Sequence, residues 1–85
     1  MNIPKNIQEQ GDKPQWSGEV DGKKAVIYYD DDISGVAPQN MYAVFTDAGF
    51  HGWLMLGFTM SEIHHVVKRE PLDYEKEYEN YSEEE

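Results

Sequence analysis

Three segments of this chain, residues 24–30, 41–47 and 53–58, are apolar on both faces of the strands they predict. In the first, Val26 and Tyr28 alternate with Ala25, Ile27 and Tyr29. In the second, Met41, Ala43 and Phe45 alternate with Tyr42 and Val44; in the third, Trp53, Met55 and Gly57 alternate with Leu54, Leu56 and Phe58. Successive side chains of a strand point to opposite faces, so a sheet with one wet face reads as apolar and polar residues in turn. These segments do not. A sheet built from them must be covered on both sides.

The links between the segments are short, which favours an antiparallel meander, because a parallel crossover needs about a dozen residues or more. A further strand is predicted over 15–20, where Trp16, Gly18 and Val20 alternate and Gly18 weakens the pattern. Asp21-Gly22 follows it, a pair that tolerates positive φ at both positions of a type I′ hairpin turn. Residues 31–40, with Gly35 and Pro38, read as a loop, and 48–52 read as a turn. A helix is predicted over about 60–70: Thr59 and Glu62 have capping-box spacing, and Ile63, Val66 and Val67 form one apolar stripe. Lys68 and Arg69 suit a helix C-terminus, and Pro71 stops the run. The expected fold class is α+β, an antiparallel β-meander of three to four strands followed by one packed helix. The expected divisions are an arm at 1–14, the sheet-plus-helix domain at 15–70 and an acidic tail at 71–85.

One helix covers one face of such a sheet. The second face then falls to the arm, to the tail, to a second copy of the chain in a homodimer, or to a partner protein; closure into a small barrel would also hide it. The tail is the least settled of these elements. Its composition, with seven acids in residues 71–85, predicts disorder. Yet Tyr74, Tyr78 and Tyr81 fall at i, i+4 and i+7, one face of a helix, so the tail reads as a conditional helix.

Charge constrains the partners. The chain carries 17 acidic and 7 basic side chains among 85 residues, a formal net charge of −10. Free nucleic acid and anionic lipid repel such a chain, so a polyelectrolyte partner is expected to be a basic protein. There is no cysteine and no apolar run of membrane-spanning length, and the first residues are polar. These features predict a cytoplasmic protein without direct nucleic-acid or membrane binding.

Motifs for chemistry are incomplete. Asp30, Asp32 and Ser34, with Gly35 sixth, resemble the start of an EF-hand calcium loop, but the twelfth position is Met41 where a bidentate Glu is needed. Glu62 and His65 have the Glu-x-x-His spacing of dinuclear carboxylate sites, in a single copy. His51, His64 and His65 are the only imidazoles, and adjacent helical residues diverge by about 100°. Ser17, Ser34, Ser61 and Ser82 lie in no nucleophile elbow. No catalytic, metal or cofactor-binding residues are therefore expected.

The expected partner-binding residues are the acids Asp30, Asp31 and Asp32, the aromatic loop tip with Phe50 and Trp53, and the tail residues Asp73, Tyr74, Glu75, Glu77, Tyr78, Glu79 and Tyr81. Together they suggest a non-enzymatic acidic binding protein, an inhibitor or nucleic-acid mimic acting on a basic protein. The alternatives are a self-associating structural or assembly protein and a small metal-dependent enzyme.

Overall fold

The computed structural model describes residues 3, 7, 14–36 and 41–82, without the side chains of 34–36, 81 and 82. Strands β1 (Trp16–Val20), β2 (Lys23–Tyr29), β3 (Met41–Thr46) and β4 (Gly49–Met55) form one antiparallel sheet in the order β1-β2-β3-β4. Helix α1 (Asp31–Val36) lies between β2 and β3, and α2 (Met60–Val67) and α3 (Tyr74–Ser82) follow β4. This is the α+β meander expected. No helix among the described residues is long and apolar enough to cross a membrane.

Asp21 and Gly22 turn the β1–β2 hairpin with φ of 51° and 78°, and Val20 pairs with Lys23 across them. The capping box forms as well. The Glu62 N–H donates to the Thr59 hydroxyl oxygen at 3.2 Å, and the Thr59 N–H donates to Oε1 of Glu62 at 3.1 Å. The helix ends at Val67, with Lys68 as its C-cap, three residues short of the expected boundary.

Three local expectations are corrected. Residues 31–36 are helical, not loop: Asp30 caps them, two acids occupy the first turn, and Ile33 is buried beneath. The rest of the expected loop, 37–40, lies outside the described residues. The last strand runs over Gly49–Met55, not 53–58, and its turn is Asp47-Ala48, since Thr46 pairs with Gly49. The cause is a bulge. Phe45 pairs with Phe50 but Val44 pairs with Gly52, which leaves His51 as the extra residue. Gly52, at φ 132°, adopts a backbone few side chains allow, so a glycine that reads as a turn in sequence belongs to the bulge.

Both faces of the sheet are buried by the chain itself. On one face Ile63, Val66 and Val67 of α2 pack with Val20, Ala25, Ile27, Tyr42, Val44 and Leu54. On the other, Val26, Ala43, Phe45 and Phe50 pack with Ile7 of the arm, and Ile3 and Tyr74 lie against them. Residue 7, in the segment expected to be an arm, is thus a fully buried isoleucine. Each aliphatic or aromatic side chain buried this way contributes about 1.5–3 kcal/mol relative to exposure. The chain reaches the second face by rounding the β4 edge, where the Leu72 N–H donates to the Phe50 carbonyl at 2.7 Å.

Candidate functional site

Asp30 organises the second face. Its side chain is wholly buried and accepts three hydrogen bonds. The Ile33 N–H donates to Oδ1 at 3.3 Å, which makes Asp30 the N-cap of α1. Oδ2 accepts from the Trp53 indole N–H at 2.9 Å and from the Tyr74 hydroxyl at 2.5 Å. One carboxyl group therefore ties together the end of β2, the start of α1, the edge strand β4 and the start of α3.

Aromatic packing completes the joint. Phe50 lies 4.8 Å from Trp53 and 5.1 Å from Tyr74, centroid to centroid, and Trp53 and Tyr74 are 5.6 Å apart. Tyr78 stacks on Tyr74 one turn further along α3. Edge-to-face pairs of this kind add about 0.5–1.5 kcal/mol each beyond the area they bury. Asp73 starts the helix, accepting from the N–H groups of Glu75 at 3.1 Å and Lys76 at 3.4 Å. Residues 74–82 of the tail thus form a capped helix whose first tyrosine packs against the core.

This arrangement sorts the expected partner-binding residues. Asp30 is interior, a correction to its reading as a partner-binding acid, and Phe50 is only 4% exposed, a correction to its reading as a loop tip. Trp53, Tyr74 and Tyr78 are half-buried in the same joint. Asp31, Asp32, Asp73, Glu75 and Glu79 are exposed, and Glu77 is partly so, with its carboxylate accepting from Asn80 at 3.4 Å. Tyr81 belongs to the α3 backbone, and its side chain lies outside the described residues. Helices α1 and α3 pack together. Two acidic segments far apart in sequence, 31–32 and 73–79, thereby share one layer, with six acids against Lys76 alone.

The histidines are placed apart. His51, at the bulge, is buried on the α2 side, and its Nδ1 meets the Arg69 carbonyl at 3.1 Å. A carbonyl only accepts, so Nδ1 carries the proton. Nε2 then accepts from the Thr46 hydroxyl at 2.6 Å, and the Thr46 oxygen accepts from the Ala48 N–H at 3.1 Å. The neutral ring has both nitrogens satisfied. Among the described residues no three His, Asp or Glu side chains are grouped to hold a metal ion.

Burial holds the His51 pKa below 6.5, the Lys23 charge adds to the lowering, and the Arg69 carbonyl partly opposes it. In the window between the folded value and about 6.5 the unfolded chain binds more protons than the folded one, so stability rises with pH there. The contribution is complete above that window and lost as pH falls through the folded value. Urea midpoints are expected to fall between about pH 7.5 and pH 5.5, and His51→Gln should remove part of that slope. Equal slopes in the two proteins would show that the ring does not couple to folding.

Comparison with protein families, with curated proteins and with solved structures finds no match for this chain, so its own geometry carries the functional reading.

Proposed function

We propose that this chain is a non-enzymatic binding protein whose acidic layer engages a basic protein partner, as an inhibitor that takes the place of nucleic acid would. The observation that carries the reading is the bond from Tyr74 to Asp30, which holds the α3 acids beside Asp31 and Asp32. A fixed array of carboxylates costs less conformational entropy on binding than a disordered acidic tail. Complementary charge of this kind acts mainly on association rate, and its effect weakens with salt.

The test is a pull-down from a lysate of the source organism at low and high salt. The bait is the wild-type chain or a variant with Asp31→Asn, Asp32→Asn, Glu75→Gln and Glu79→Gln. A basic protein retained by the wild type at low salt and lost with the variant is the expected result. Recovery of no basic protein at either salt, or equal recovery by both baits, would count against the reading.

Self-association is the second reading. The sheet face that suggested it is packed by Ile3, Ile7 and Tyr74, and its remaining support is the exposed apolar trio Met55, Leu56 and Met60 around the β4–α2 turn. Light scattering on the pure protein separates the two: a strict monomer removes the second reading.

A further inference from the structure

A groove of about 350 Å³ runs between α2 and the edge strand β4, on the side of the sheet away from the acidic helices. Its floor is apolar, formed by buried Leu54 and Val66; Trp53, whose indole packs on the opposite face, borders it on β4. Its rim is polar. Ser61 and His65 stand one turn apart on α2, and Arg69 follows one turn beyond; all three are exposed. Glu62 also borders the groove, but its Oε1 accepts from both the N–H and the hydroxyl of Thr59 and is held by the capping box.

Arg69 is the only arginine in a chain where acids outnumber bases 17 to 7. Its backbone is engaged: the N–H donates to Val66 and the carbonyl accepts from His51. Among the described residues its guanidinium has neither an ion pair nor a hydrogen-bond acceptor. A cation at a helix C-terminus has a plain structural reason, and Lys68 meets that need from the C-cap position without lining the groove. Arg69 instead lines the groove, with His65 four residues before it on the same rim.

We propose that this groove binds a small organic acid, with its carboxylate on Arg69 and His65 and its apolar body on Leu54 and Val66. The planar guanidinium fork matches a carboxylate in two parallel hydrogen bonds. The volume lies at the small end of the range for ligand sites, about 300–1,000 Å³. The acidic layer on the opposite face does not forbid an anion here, because charges beyond about 8 Å are screened at physiological ionic strength, and the Glu62 carboxylate at the rim is engaged by Thr59. The site is separate from the acidic layer, and its test does not depend on that reading.

The experiment titrates the full chain, at physiological salt, with phenylacetate, phenethyl alcohol and phenethylamine, followed by NMR. Shifts at Leu54, His65, Val66 and Arg69 should saturate for phenylacetate with a Kd on the order of 1 mM. The alcohol and the amine should bind at least about tenfold more weakly, and Arg69→Gln should cost phenylacetate a similar factor. Lys68→Gln removes the same charge outside the groove and should change nothing. The proposal is overturned by absence of saturable shifts, by equal binding of acid and alcohol, or by equal losses in Arg69→Gln and Lys68→Gln.

Discussion

Asp30→Ala is expected to lower the stability of the fold by about 3 kcal/mol, since each donor it leaves without an acceptor costs about 1–3 kcal/mol when buried. Three donors lose their acceptor together: the Ile33 N–H, the Trp53 indole and the Tyr74 hydroxyl. The sum stays below three full penalties because Trp53 and Tyr74 are half-buried and can reach water. For a domain of this size such a loss corresponds to a fall in Tm of more than about 10 °C. Asp30→Asn keeps one acceptor oxygen but sets an amide against the indole N–H or the helix start, so about half the loss is expected. Tyr74→Phe removes a single bond, worth about 1 kcal/mol, and combining it with Asp30→Ala should give less than the sum of the two. Urea denaturation measures all four proteins. An Asp30→Ala protein within about 0.5 kcal/mol of wild type would mean that the buried carboxyl is not what joins the helices.

The same residue shows why function was harder to read than fold. The Asp21-Gly22 hairpin, the Thr59–Glu62 capping box and the Ile63, Val66, Val67 stripe are local, each set by residues within a turn or two of one another, and each is found where the sequence places it. Asp30 is different. Its partners Trp53 and Tyr74 are 23 and 44 positions away, so a run of three aspartates reads as a wet turn until the strands are assembled. A local signal for α1 existed, an Asp N-cap with acids in the first turn, but Gly35 and Pro38 pointed towards loop. The displaced fourth strand has a comparable cause: Gly49 and Gly52 look like turn residues, while the bulge at His51 is fixed by pairing with β3 and by the Arg69 carbonyl.

These placements change what the acidity means physically. Asp30 and Asp73, each at the head of an acidic run, are helix caps. The acids behind them are carried outward by helices whose opposite sides are held in the core through Ile33 and Tyr74. Carboxylates on capped, packed helices keep their spacing, and a fixed spacing is what a basic groove can select. Tyr74, bonded to Asp30 and stacked on Tyr78, therefore anchors the helix that carries these acids.

Phe45→Ala is expected to have the largest effect of any single change, about 3–5 kcal/mol, the usual cost of deleting a wholly buried phenylalanine. Phe45 has no exposed surface and sits between Tyr28 at 6.2 Å and Phe50 at 5.5 Å, in the cluster that Ile7 joins and that Ile3 and Tyr74 pack against. Domains hold about 0.05–0.15 kcal/mol of stability per residue, so this one change removes a large share of what a chain of 85 residues has. Phe45→Leu should cost less than about 1.5 kcal/mol, because much of the volume is kept. The damage should also be directional: deuterium exchange is expected to rise in α3 and around Asp30 before it rises in α2, which packs on the other face. If a second copy or a partner were the true cover for this face, Phe45 would meet water in the free monomer and its removal would matter little. Sedimentation with urea denaturation separates these cases, and a monomer that loses under about 1 kcal/mol on Phe45→Ala would rule out the self-covered sheet.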